Sequence, residues 1–575
     1  KRLIKGIFSH HDTRPGGAWS VRGQDKNTGG IWSNVSLSYS KQLALGPVRV
    51  RTSPGSGGQP SAAQIEVMGV VTARSAQDAQ LDIQVEPYNF AGLTHRETRA
   101  VTVPAGRSTP KWTVLIKDAQ LWWPAEMGSP RLYKVKLVLR KGGTVLDAGE
   151  RVFGLRDVKL DEASGIWTVN GKRVFLRGTN YIPSQWLSEM TLDAYRKDIE
   201  LMQQAHINAV RVHAHVGDKN FYQACDEAGM LIWQDFPLQW GYDDTPKFHA
   251  QAALQVTDMI NSLDSHPSIF AWSLHNEPPW DAWWMKYKYP AYVPNQNRKL
   301  DDDLHRVARR EDPSRYTHKY SATSEHQWQG WYSGHWTDFA KPTTHALISE
   351  FGAQALPNIS ALRRIFNDDN LYPDTPEKME KWEYHNFQKD ETFKNAKISM
   401  GKNIQEFIAN SQGYQSQLIQ LAAESLRRQK YNPVGAIFQF MFVENWPSLN
   451  WGVVDYWRSP KPGYAALQKA YQPILPSIEW AKNSFNATET PTFGLWLIND
   501  TQNALKDIDY EWTLWHAGQL VDKKTLRTQI GADHASKVGE VVMPALQSGS
   551  YQLRTRLVTA QGNVVGENSY EFAVN

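Results

Sequence analysis

A single cysteine, Cys225, stands among 575 residues, so no intrachain disulfide forms and the redox compartment is left open. It shares an apolar helical face with Phe221, the setting of a buried structural thiol rather than a reactive one. No apolar run approaches the roughly 20 residues that a membrane helix requires; Gly435 to Val443 is about the longest. Neither charge predominates: 63 Lys and Arg against 59 Asp and Glu leave +4, with no extended basic run, so nucleic acid is not indicated. No G-x-S-x-G, P-loop or dinucleotide fingerprint occurs, which leaves a serine hydrolase and a nucleotide enzyme unsupported. The chain opens at Lys1 without a signal peptide, and the compartment (cytoplasmic, periplasmic or secreted) is not readable from it. What the chain has in plenty is tryptophan, 24 in all. Many fill cores, and flat indole faces also make natural floors for sugar rings.

The length calls for three or four domains. Residues 1–43 are rich in Gly, His, Arg and Trp, and Trp32 to Tyr39 alternates as a strand does. From 44 to 158 the apolar period is two. Val48 to Thr52, Gln64 to Ala73, Leu81 to Glu86, Trp112 to Ile116 and Leu132 to Leu139 predict an immunoglobulin-like β-sandwich. From 159 to 473 strands alternate with helices, which predicts a parallel (β/α)8 TIM barrel. Its first signals are a hairpin at Trp167 to Lys172 turning on Asn170-Gly171, and a strand at Val174 to Leu176. Further strands are expected at Ala209 to Val212, Met230 to Trp233, Thr317 to Ser321, Trp331 to Ser333, Ala346 to Ser349 and Gly435 to Phe442. Thr191 is placed to cap a helix, and 366–396 reads as an excursion over the barrel mouth. Period two returns over 474–575 with strands near 492–497, 509–516, 550–557 and 569–574, a second small sandwich.

Two stretches carry the chemistry. Ile269-Phe-Ala-Trp-Ser-Leu-His-Asn-Glu-Pro-Pro279 is a buried strand that stops at His275-Asn276-Glu277, because Pro278 cannot stay in a ladder. His345-Ala-Leu-Ile-Ser-Glu350-Phe-Gly repeats the design, with Gly352 expected to open a tight turn. Barrel enzymes place their chemistry at the C-terminal tips of their strands. Two glutamates there are what a glycoside hydrolase needs, one as general acid/base and one as nucleophile.

The chain resembles glycoside hydrolase family 2, the β-galactosidase, β-glucuronidase and β-mannosidase group. The motifs are Gly29-Gly-Ile-Trp-Ser-Asn-Val-Ser-Leu37, Leu121-Trp-Trp-Pro124, Phe153-Gly-Leu-Arg-Asp157, Asn170-Gly-Lys-Arg-Val-Phe-Leu-Arg-Gly178, His275-Asn-Glu-Pro278, Ser349-Glu-Phe-Gly352 and Asn445-Trp-Pro447. The resemblance implies a multidomain fold in which immunoglobulin-like β-sandwiches flank the barrel. Residues 1–43 would be the remnant of an N-terminal jelly-roll sugar-binding domain. It further implies that Glu277 is the proton donor, Glu350 the nucleophile of a retaining double displacement, and Asn276 the partner of the sugar 2-hydroxyl. Arg211 would keep Glu350 ionised, and His213 and Asp235 would hold ring hydroxyls. Tyr332 would touch the nucleophile, Trp446 would floor the −1 subsite, and Trp240 with Trp280 to Trp284 would line the leaving-group side. Asp25 would reach the sugar from the jelly roll. No cofactor or metal is implied. The partner is an oligosaccharide or β-glycoside, with no nucleic acid, no membrane and a possible homo-oligomer.

The nucleophile motif points to a β-mannosidase or exo-β-glucosaminidase; a β-galactosidase or β-glucuronidase is the alternative within the family. From other classes, a carbohydrate-binding pseudoenzyme and a metal-dependent barrel hydrolase using His213 and His215 stay open.

Overall fold

The computed structural model describes residues 31, 33–53, 62–287 and 292–575. Residues 1–30, with most of the expected jelly-roll remnant and Asp25, lie outside the described residues. Residues 33–40 form no strand, contrary to the alternation read there, and Val35, Leu37 and Tyr39 are 74–94% exposed. A strand needs a neighbour for its amides, and among the described residues none pairs with this segment.

Period two in the next stretch has the expected result. Strands Leu43–Ser53, Ala62–Ala73, Gly106–Ser108 and Lys111–Lys117 make one sheet. His95–Val103, Gln77–Pro87, Tyr133–Lys141 and Thr144–Phe153 make the other. Ile65 and Val67, Leu81 and Ile83, Val114 and Ile116, and Leu137 and Leu139 all point into one shared core.

The barrel strands are β1 (Leu176–Tyr181), β2 (Ala209–Val212), β3 (Leu231–Asp235), β4 (Ile269–Ser273), β5 (Tyr316–His318), β6 (Leu347–Phe351) and β7 (Ala436–Gln439). They pair in parallel in the order β5-β4-β3-β2-β1-β7-β6. The remaining stave, between β5 and β6, is a single parallel bridge from His326 to Glu350. Alternation sends Val210 and Val212 outward against Tyr195, Ile199 and Met202 of helix α1 (Leu192–Gln204). Thr191 caps that helix by accepting from the Ala194 amide at 3.2 Å. Ala209 packs in the barrel floor with Leu176, Leu231, Trp233 and Phe438. A three-stranded sheet (Val158–Asp161, Ile166–Val169, Lys172–Val174) plugs that floor, Trp167 meeting Phe270 edge-on at 4.9 Å. Its hairpin turns on Asn170 and Gly171 with φ of 50° and 79°, the type I′ geometry. With the bottom plugged, the mouth lies at the strands' C-terminal ends.

Two expected barrel strands are corrected. Val174 belongs to the plug, and β1 runs from Leu176 through Arg177, Thr179 and Asn180. Its polar residues face the interior and the domain junction, so hydrophobic runs alone truncate it. Trp331 to Ser333 is a reversal: the amide of Gly330, at φ 80°, donates to the Ser333 carbonyl at 2.7 Å.

Past helices α2 (Ile404–Arg428) and α3 (Pro462–Ala470), two further sheets close the chain. One holds Ile474–Glu479, Thr492–Asn499 and His534–Val542. The other holds Ser484–Phe485, Leu505–His516, Gln519–Ile530, Gly549–Thr559 and Val564–Val574.

Candidate active site

The segment after β4 is held by its neighbours on both sides. The Asn276 amide donates to the Leu238 carbonyl at 2.9 Å, and the Glu277 amide to the Ser321 carbonyl at 3.0 Å. Glu277 sits at φ 49°, in the left-handed region, just before Pro278. Such a conformation costs roughly 1–3 kcal/mol and persists where surrounding contacts over-determine it. Those contacts are present: His275 Nε2 donates to the Trp240 carbonyl at 2.7 Å, while its Nδ1 lies 2.7 Å from Asp301 Oδ1. The Trp280 indole donates to the other oxygen of Asp301 at 2.6 Å.

The carboxyl group of Glu277 touches two side chains. Trp240 Nε1–H donates to Oε2 at 2.8 Å, and His326 Nδ1 lies 3.0 Å from Oε1. Trp240 in turn packs edge-on against Trp284 at 5.9 Å. Trp280 lies against Tyr320 with Arg298 over its face, and Trp283 is exposed.

Glu350 is delivered by β6 and buried. Three groups converge on its Oε1: Arg211 Nη1 at 3.2 Å, His213 Nε2 at 3.2 Å and His326 Nε2 at 3.5 Å. Gly352 follows for a reason other than a turn. A Cβ there would lie 2.3 Å from the Phe440 carbonyl oxygen, so the glycine lets the chain after β7 approach β6.

Arg211 links four strand ends. Its Nε donates to Asp235 at 3.0 Å, its Nη2 to Asn276 Oδ1 at 2.7 Å and its Nη1 to Glu350. Asp235 also accepts from the Ala214 amide at 3.1 Å. Burial opposes the guanidinium's charge, but Asp235 and Glu350 outweigh it and hold its pKa above the ordinary arginine value. Burial, reinforced by Arg211, drives the His213 pKa well down, so the neutral ring donates from Nε2 to Glu350. The His326 ring is also buried, yet the charge of Glu350 and the hydrogen bond with Glu277 outweigh desolvation and raise its pKa above the ordinary histidine value.

The H-x-H pair does not act together. His215 donates from Nδ1 to the His213 carbonyl at 3.0 Å, and burial lowers its pKa to about 4. No group of three or more His, Cys, Asp or Glu suited to a metal occurs among the described residues.

Trp446 is buried and stacks on His385 at 5.0 Å and 18°, so the 366–396 excursion packs against the loop after β7. The Tyr332 hydroxyl accepts from Gln388 at 2.8 Å, and its ring joins Trp328, Trp451 and Phe440 beside His213. The structure thus brings Glu277, Glu350, Asn276, Arg211, His213, Asp235 and Trp240 into one network. Sequence reasoning missed His326, which follows the featureless run Ser321 to Glu325, and Asp301, which lies inside a helical pattern.

Family models agree with this architecture. One described as glycosyl hydrolases family 2 matches residues 48–156, and the family 2 TIM barrel domain matches 158–474. β-Mannosidase B of Neosartorya fischeri is 26% identical over 528 residues, covering 83% of this chain and 61% of its own length. The Aspergillus fumigatus β-mannosidase B is 26% identical over 526 residues, with the same two coverages of 83% and 61%. The chain therefore spans about three fifths of these relatives. The crystal structure of a Dictyoglomus thermophilum β-D-mannosidase shares the fold at TM-score 0.80 and 22% identity, covering 93% of this chain and 67% of that one. The Amycolatopsis orientalis exo-chitosanase shares it at 0.72 and 19% identity, covering 93% and 64%. With its barrel domain matched from end to end, this chain belongs to glycoside hydrolase family 2.

Proposed function

We propose that the chain is a retaining, exo-acting β-glycosidase, with Glu350 as nucleophile and Glu277 as acid/base. The observation that carries the reading is a pair of carboxylates, at the ends of β4 and β6, that touch the same imidazole ring. Among the described residues the three side-chain partners of Glu350 fall on Oε1, which leaves Oε2 to attack the anomeric carbon. Glu277 protonates the departing oxygen, then takes a proton from the water that releases the sugar. Arg211 holds Asn276 by its Oδ1, so the amide's Nδ2 is the end that faces the 2-hydroxyl. Trp446 is the floor of the −1 subsite, and His213 and Asp235 set the position of Glu350 and Arg211 at its edge.

A terminal β-mannoside is the substrate best supported, because the relatives that match most of this chain are named β-mannosidases. A panel of nitrophenyl β-glycosides (mannoside, glucosaminide, galactoside, glucuronide, glucoside) tests this, with the mannoside expected to give the highest kcat/KM. Proton NMR of the first-formed sugar should show the β-anomer. An α-anomer would overturn the retaining mechanism, and a panel without any hydrolysis would overturn the glycosidase reading.

Glu277→Ala should separate substrates by leaving group. General acid catalysis contributes on the order of 10²–10⁴-fold, so alkyl glycosides should lose that much in kcat/KM. Dinitrophenyl glycosides, which depart without protonation, should lose far less in the glycosylation step. Equal losses on both would remove Glu277 from the acid role.

A further inference from the structure

We infer that His326 stores, between turnovers, the proton that Glu277 passes to the leaving oxygen; this rests on the glycosidase reading above. Both oxygens of the Glu277 carboxyl group are engaged. Oε2 accepts from the Trp240 indole, which can only donate, and Oε1 faces His326 Nδ1 at 3.0 Å. The contact between Oε1 and Nδ1 is therefore where one shared proton belongs, with the imidazole donating and the carboxylate accepting. The far side of the ring favours the same arrangement, since Nε2 lies 3.5 Å from Glu350 Oε1.

The backbone that carries the ring is held on both sides. The His326 amide donates to the Thr323 carbonyl at 3.2 Å, and the next amide, Gln327, donates to the Glu350 carbonyl at 2.9 Å. The charged and titratable groups around it are few. Glu277 and Glu350 favour the protonated ring, while burial and Arg211 oppose it. His213 is neutral, and Glu325 is occupied by His318 at 3.1 Å and by the Ser349 hydroxyl at 3.2 Å.

The reaction then couples charge to proton. As Glu350 Oε2 bonds to the anomeric carbon and the bond to the leaving oxygen breaks, the proton moves from Nδ1 to Oε1 and on to that oxygen. Esterification removes the Glu350 charge at the moment the ring gives up its proton. In the second half, water supplies its hydroxyl to the anomeric carbon and its proton, through Glu277, to Nδ1. Glu350 departs as the carboxylate, and the resting pair is restored. His326 acts through Glu277, so it is a positioning residue that holds the proton without touching the sugar.

The test is the pH profile of kcat/KM on the wild-type chain and on His326→Gln and His326→Asn. In both variants the last proton sits on a carboxyl group alone, whose ordinary pKa is about two units below that of an imidazole, so the alkaline limb should move down by about one unit or more. An alkaline limb that stays in place or moves up overturns the inference. A second readout needs neither variant: ¹⁵N resonances of the His326 ring should titrate at lower pH in Glu350→Gln than in wild type, and an unmoved titration also overturns it. A wild-type chain that hydrolyses no β-glycoside sinks the glycosidase reading and this inference with it. A wild-type chain that turns over while the limb and ring resonances stay put sinks this inference alone.

Discussion

Glu350→Ala should lose on the order of 10⁴-fold or more in kcat, the scale seen when a nucleophile is removed from a cooperative site, and sodium azide should restore part of it. The geometry explains both halves. Removing the carboxylate deletes the atom that forms the glycosyl-enzyme, and leaves Arg211 and the His326 ring facing an uncompensated space beside the anomeric carbon. A small anion fits that field. It attacks from the face Glu350 used, and no second displacement follows, so the product is the α-glycosyl azide. Arg211 keeps Asp235 and Asn276, so the barrel should stay folded and the loss should not track the melting temperature. Near-normal turnover in the variant, or rescue that gives the β-azide, would remove Glu350 from the nucleophile's role.

Glu277 and Glu350 were legible because each lies at or just past the end of a short, largely buried strand, with a proline or a close-packed glycine following. A run of apolar residues broken by a single acid is a strong local signal. Arg211, His213 and Asp235 were legible by the same logic, as polar residues at the tips of buried strands. His326 was not, because its stave is one bridge rather than a ladder, and a single bridge leaves no periodicity. The pattern Trp331 to Ser333 drew the missing strand to the wrong place, since three residues of a reversal alternate as a strand does. The polar strand Gln519–Ile530 escaped for the opposite reason: Asp522, Lys523, Lys524 and Arg527 lie on an edge strand, where charge blocks further pairing and erases the two-residue rhythm. Gly352 was placed correctly but for the wrong cause. Its need comes from the Phe440 carbonyl, nearly ninety residues away in sequence, and no local pattern encodes a contact of that range.

The largest stability effect is expected far from the mouth, at Asp500. This residue follows strand Thr492–Asn499 of the last sandwich, and its side chain, 2% exposed, turns into the junction with the barrel. Oδ2 accepts from Arg177 of β1 at 2.5 Å and from Arg427 of α2 at 2.8 Å, while Oδ1 accepts from Lys430 at 2.9 Å. Glu126 of the first sandwich region pairs with Arg177, and Asp533 with Lys430 and Arg173, so the cluster ties three parts of the chain together. Asp500→Asn keeps the shape and removes the charge, leaving cations with too few anions in a dry junction. Breaking a buried pair in this way costs about 3–5 kcal/mol, and the variant's thermal midpoint should fall accordingly. The acid dependence has a definite sign. Burial alone would raise the Asp500 pKa, but Arg427, Lys430 and Arg177 outweigh it and hold the carboxyl well below its ordinary 3.8. A depressed carboxylate contributes its stability fully above the unfolded value and loses it as pH falls toward the folded one. Wild type and Asp500→Asn should therefore differ by a constant margin above about pH 5, and the gap should narrow progressively below about pH 4. Thermal midpoints of both proteins across that range decide it; a gap that is absent at neutral pH, or that widens on acidification, would show that the junction does not depend on this charge.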